Sequence, residues 1–235
     1  MKSSNYFKKW RSSISTLMLT VILVLSGCQD DDIITLGTGQ IIIEATTTSG
    51  TNLNLNGRTA QLNHLSFDGG KIIIREIVFD GDLDNGNSVS ITEEQIIEIN
   101  YKTGTLSPEI ILEVTAGLYR DVYLGIELQD DGASPSITLE GSYTNNEGME
   151  FPLKFEFISG EVFEASSDML AINKGEKILG KIAFDALRWF SNVTASDMEE
   201  ATLTEGNILI NESNNTDIYE LVADQIDYAT EVKFE

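Results

Sequence analysis

Cysteine, histidine, proline and positive charge are all scarce in this 235-residue chain. One cysteine excludes an internal disulfide framework and a multi-thiolate zinc cage. One histidine, His64 in the stretch QLNHLSF, leaves a Ser-His-Asp triad a single candidate base. No GxSxG elbow accompanies it, so His64 reads as a polar strand or loop residue. Three prolines, Pro108, Pro135 and Pro152, supply no Pro-rich linker. Walker-type and dinucleotide glycine motifs are missing as well. Against 38 acidic residues stand 15 Lys and Arg. Nucleic-acid backbones are therefore repelled, because their recognition draws on cationic contacts. Anionic membrane surfaces are disfavoured for the same reason.

What is present begins with a leader. Lys2, Lys8, Lys9 and Arg11 give a positive start, and a 12-residue apolar run, Ile14 to Leu25, follows. At 1.5 Å per residue that run is too short for a bilayer core of about 30 Å. It suits the hydrophobic region of a secretory signal over residues 1–27. Leu25, Ser26, Gly27 and Cys28 then resemble the lipobox of bacterial lipoproteins. The resemblance implies that Cys28 becomes an acylated N-terminus, carrying a diacylglycerol and an amide-linked chain such as palmitate. A deprotonated thiol is a strong nucleophile for that transfer. Several acyl chains exceed what stable anchoring needs.

Gln29, Asp30, Asp31 and Asp32 are similar to the acidic export tag of Bacteroidota-type surface lipoproteins. The implied location is the outer membrane, with the body displayed on the cell surface; the alternative is its periplasmic leaflet. Read from charge alone, the same run is a solvated spacer, and residues 28–38 form an acidic tether. The leader removes four of the 15 basic residues and no acidic one, leaving 11 against 38, a formal −27.

Residues 39–235 are expected to form a β-domain, either single or divided into two subdomains near 130–148. Period-two alternation marks half-buried strands at Val122–Leu128, Ile137–Tyr143 and Phe151–Phe157. Pro152 has no amide to donate, so its strand should start there or lie at an edge. Runs rich in β-branched residues, QIIIEATTT, KIIIREIVF and EIILEVT, predict more fully buried strands. Asp68-Gly69-Gly70 and Thr103-Gly104 read as turns, and Asp130-Asp131-Gly132 and Asn145-Asn146-Glu147-Gly148 as hairpins. The fold class is thus mainly β, an antiparallel sandwich, immunoglobulin-like or related. A short helix is expected near 185–191. A second, near 217–229, follows from Ile218, Leu221, Val222, Ile226 and Ala229 falling on one face, with Asn215 or Thr216 as its cap.

The stretch DGDLDNGNS sets Asp80, Asp82 and Asp84 at alternate positions. Carboxylates converging in a turn suit Ca²⁺, which takes six to eight oxygens. The stretch resembles the first half of an EF-hand-type loop, but its glycine falls one position late, at Gly86, and Ile91 replaces the bidentate glutamate. The other reading is an acidic hairpin tip. Carboxylate pairs such as Glu93-Glu94, Glu109 with Glu113, and Glu199-Glu200 are too numerous to single out a glycosidase site. Arg188-Trp189-Phe190 could form a sugar-stacking patch or fill a core.

The body loosely resembles uncharacterised β-sandwich surface lipoproteins, on Ala116-Gly117-Leu118-Tyr119 and the later Trp-Phe segment. The expectation is a non-enzymatic, lipid-anchored binding protein of the outer membrane. Its partners would be the membrane through the anchor, and a carbohydrate or envelope protein through the body. No cofactor is required, and Ca²⁺ is the candidate ion. The alternatives are a carboxylate-dependent glycan hydrolase and a structural component of a surface assembly.

Overall fold

The computed structural model describes residues 37–50, 52–55, 64–132 and 134–235. The expected leader, the expected lipidation site Cys28 and the expected tag Gln29 to Asp32 lie outside the described residues. Among those described, no helix is long and apolar enough to cross a membrane.

Alternation of apolar and polar residues marks most of the fourteen strands among the described residues. The first seven are β1 (Thr38–Thr47), β2 (Asn52–Asn54), β3 (His64–Leu83), β4 (Ser88–Asn100), β5 (Thr105–Ser107), β6 (Ile110–Thr115) and β7 (Gly117–Leu128). Then come β8 (Ile137–Thr144), β9 (Glu150–Phe157), β10 (Val162–Ile172) and β11 (Lys177–Phe184). After β11 stand two short helices, α1 (Ala186–Trp189) and α2 (Ala195–Glu199), then β12 (Leu203–Thr204) and β13 (Asn207–Ile210). Helix α3 (Thr216–Ala229) and strand β14 (Glu231–Phe234) complete the body. The fold is mainly β, in two sheets that suit a sandwich.

The smaller sheet runs β14-β11-β1-β6. The larger runs β10-β7-β3-β8-β9-β13-β12, with β2 and β4 on the other edge of β3 and β5 beyond β4. Most pairs are antiparallel, but β1 with β11 and β9 with β13 are parallel. Strand orientation is therefore mixed rather than wholly antiparallel. The parallel partners are far apart in sequence, so chain that crosses the body, and not a tight turn, joins them.

Strand β3 organises the larger sheet. Residues 64–72 of it pair with β8, and residues 74–83 pair with β7 on the same edge. Asp130-Asp131-Gly132, expected as a hairpin, instead lies where β7 gives way to β8, and the two strands follow one another along β3. Residues 36–235 form one compact unit. The Asn145–Gly148 turn does close a hairpin, between β8 and β9. Asp68-Gly69-Gly70, expected as a turn, is a bulge inside β3, between Phe67 and Gly69. Glycine at a bulge suits both readings from sequence alone.

One core joins the sheets. Gly180 on β11 is tightly packed, since a Cβ there would lie 3.0 Å from Leu124 Cδ2 of the larger sheet and 2.9 Å from Ile43 Cδ1 of the neighbouring β1. Tyr119 fits over Gly81 and sends its hydroxyl to the Thr115 carbonyl at 2.6 Å, pinning the β6–β7 turn. At the far part of β3, Phe67, Phe155 and Phe157 meet Phe190 and Tyr219 from the helices.

Helix α3 buries Ile218, Val222, Ile226 and Ala229, the face that their spacing predicts. Its cap differs from expectation. Asn215 sits left-handed, φ 51°, and makes no capping bond to the helix. Its side chain instead accepts from the Thr202 amide at 2.8 Å and hydroxyl at 3.1 Å, and donates to the carbonyls of Thr202 (3.0 Å) and Leu209 (2.7 Å). Asn215→Ala should lower stability by about 2–3 kcal/mol, from lost hydrogen bonds and a strained backbone. Asn215→Gly should cost less, since glycine tolerates positive φ. Urea denaturation of the two variants side by side checks the order; equal losses would place the whole effect in the hydrogen bonds.

The chain end is tied down by charge. Glu235 accepts from Lys181 at 2.6 Å and Lys233 at 2.5 Å, and these bonds hold its carboxyl down at about 2.

Candidate binding groove

A groove crosses the outer face of the larger sheet at the β3 bulge. Two hollows, of about 660 and 490 Å³, meet at Glu140, Lys154 and Glu156. Alternation explains why polar side chains line it. Thr138 and Glu140 on β8, and Lys154 and Glu156 on β9, are the outward partners of the buried Ile137, Leu139, Leu153 and Phe155. Glu140 stands opposite Lys154 in the register, and Thr138 opposite Glu156.

Glycines let the strands come together here. A Cβ on Gly70 would stand 2.1 Å from the Thr138 carbonyl oxygen, and one on Gly141 1.8 Å from that of Ser66. Both contacts are with backbone, so neither position admits a side chain without moving a strand. Gly69 lies opposite Glu140, and its missing side chain leaves the Glu140 carboxylate room over β3.

The charges divide into matched and unmatched sets. Lys154 meets Glu156 at 2.6 Å, and Lys71 meets Glu98 at 3.7 Å. Burial pushes the Glu156 carboxyl up, but hydrogen bonds from Lys154 and from Asn211 outweigh it and hold it below the usual value. Glu156 is thus kept ionised, the opposite of an acid catalyst's requirement. The carboxylates of Asp68, Glu140 and Glu205, by contrast, have no ion pair or hydrogen bond among the described residues. The groove keeps a negative balance.

The sites expected from sequence fall elsewhere. Asp80 and Asp82 lie on the last turnward part of β3, and Asp84 on the β3–β4 hairpin. Asp82 accepts from the Ser88 hydroxyl at 2.5 Å, and Asp84 pairs with Arg120 at 2.6 Å. Leu83 and Asn87 close the tip, with Gly86 at φ 86°. These are the bonds of an acidic hairpin. Among the described residues, no three His, Cys, Asp or Glu side chains form a group that could hold a metal ion.

His64 begins β3, its Nε2 3.4 Å from the Thr144 hydroxyl. Glu199 accepts from Tyr143 at 3.2 Å, and Glu113 from Gln40 at 2.5 Å. Trp189 and Phe190 are fully buried, and the indole N–H donates to Thr230 Oγ1 at 3.2 Å. A buried indole offers no face to a sugar.

The groove residues were visible in the sequence as the polar halves of two alternating strands. Nothing in that pattern tells a groove lining from an ordinary wet face. The helix α2 also went unread, although Thr194 and Asp197 form a reciprocal capping box that the Thr-x-x-Asp spacing announces. No protein-family model, curated protein or solved structure matches the chain.

Proposed function

We propose that this chain is a lipoprotein of the outer membrane, anchored through acylated Cys28 and displayed on the cell surface, whose β-body binds a partner without catalysis. The observation that carries the reading is the Leu25-Ser26-Gly27-Cys28 sequence at the end of a short apolar run. The groove across β3, β8, β9 and β13 supplies a place for the partner. Burial of Trp189 favours a protein partner over a glycan, because it removes the stacking platform that RWF offered. A structural role in a surface assembly is favoured by a separate feature. Strand β10 pairs with β7 on one edge, has no hydrogen-bonded strand on its other edge among the described residues, and exposes Met169.

Binding is tested by retaining detergent-solubilised envelope proteins, and a glycan array, on the immobilised body from residue 33. Leu209→Trp, which fills the smaller hollow from β13, serves as the comparison. A component held by the wild type and released by Leu209→Trp supports the groove as the seat. Equal retention on both would move binding to another face, and no retention at all would remove the binding role.

A further inference from the structure

We infer that the groove takes a basic side chain, an arginine or lysine on an extended segment of a partner protein, seated between Glu140 and Thr138. This deepens the binding reading above and rests on it. Thr138 is the starting point. It is 9% exposed, it lines the larger hollow, and its hydroxyl has no hydrogen-bond partner among the described residues. No fully buried side-chain N or O of those residues lacks a partner. The Thr138 hydroxyl therefore opens onto the groove, and it is left for whatever enters. A hydroxyl that opens onto the groove with no protein partner can bond whatever donor or acceptor enters.

Charge decides which donor. The groove's lysines, Lys71 and Lys154, are already held by Glu98 and Glu156. Glu140 has no ion pair or hydrogen bond among the described residues, and it stands two residues from Thr138 on the same strand face, roughly 7 Å along the strand. An ammonium or guanidinium placed between them donates to the carboxylate and to the hydroxyl together. Arginine fits best, since its planar fork carries several donors in fixed directions. Asp68 and Glu205, likewise without an ion pair or side-chain hydrogen bond among the described residues, extend the negative field along the smaller hollow. A second basic residue two positions along an extended segment would meet that field. Anionic ligands are disfavoured on the same grounds.

The measurement is NMR titration of the isotopically labelled body from residue 33, which includes the compact unit 36–235 with its own core. The probe is an acetylated, amidated pentapeptide of alternating threonine and arginine; the control replaces each arginine with glutamate. Amide shifts should concentrate at Thr138, Glu140, Gly141 and Lys154, saturate at sub-millimolar peptide and vanish with the acidic control. Glu140→Gln and Thr138→Val should each weaken binding at least fivefold while leaving the rest of the spectrum in place. Shifts spread over the Asp80–Asp84 hairpin and unchanged by Glu140→Gln would mean unspecific attraction to an acidic protein, and would overturn the assignment. So would no shift at several millimolar peptide. If an envelope component is still retained in a groove-dependent way, the binding reading survives and only the basic-residue assignment falls.

Discussion

Trp189→Ala should destabilise the body by about 3–5 kcal/mol, the usual range for emptying an aromatic site in a core. The indole is fully buried and edge-on to Phe184, with ring centroids 6.2 Å apart. Phe184 in turn sits edge-on to Phe163, which connects the smaller sheet to β10 of the larger. Deleting the indole removes one end of that row and leaves the Thr230 hydroxyl without its donor. For about 200 residues a loss of this size lowers Tm by roughly 6–20 °C. Trp189→Phe separates the two contributions: it keeps most of the apolar contact and loses the hydrogen bond, for about 1–2 kcal/mol. The other tryptophan is Trp10, so Trp189 is the sole indole of residues 28–235. Its fluorescence reports wild-type unfolding directly, and circular dichroism follows the variants. A loss below 1 kcal/mol for Trp189→Ala would mean that this part of the body is not tightly packed.

If Cys28 carries the proposed lipid, Cys28→Ser should move the protein from an almost wholly membrane-bound state to one without a lipid anchor. Each buried methylene of an acyl chain contributes about 0.8 kcal/mol, and a single myristoyl chain holds only reversibly, so two or three chains make release negligible. Serine lacks the thiol that accepts the lipid, and the other anchoring route is weak. Residues 14–25 are too short to span the bilayer, and a body of −27 is repelled by anionic headgroups. Fractionation of cells producing the variant should show it outside the outer-membrane fraction, or retained with its leader uncut. Changing Asp30, Asp31 and Asp32 together to asparagine should have a different outcome: the body stays lipidated and sediments with membranes, but protease added to intact cells no longer reaches it. Anchoring that survives Cys28→Ser would locate the attachment elsewhere in the chain.

Legibility in the sequence followed periodicity. Where polar and apolar residues alternate cleanly, as in Phe151-Pro152-Leu153-Lys154-Phe155-Glu156-Phe157, strand and buried face are both given by the side-chain period of two. The observed β9 spans Glu150–Phe157 with Leu153, Phe155 and Phe157 buried. Pro152 sits near its start, opposite Ser142 of β8 and before the residues that pair with β13. Helix α3 was readable in the same way from a spacing of three and four. Pairing was less readable, because a strand carries no label for its partner. Glycines at 69 and 70 suggested a turn, yet the chain runs on through them as one strand, since a bulge and a turn ask for the same conformational freedom. The hairpin expected at 130–132 failed for a related reason. β7 and β8 both carry apolar inner faces that fit β3, and that long strand accommodates them in succession. The groove was illegible because it is a product of this pairing. Its lining comes from strands far apart in sequence, and an unpaired glutamate is recognised as unpaired only when its neighbours are known.

The address at position 28 underlies the functional account, and intact mass spectrometry of protein purified from its native membrane tests it most directly. The expected mass is that of residues 28–235 plus a diacylglyceryl group and one further acyl chain, with the N-terminal fragment carrying all of the added mass. A chain beginning at Met1, or a terminal cysteine with a free thiol, would contradict the account.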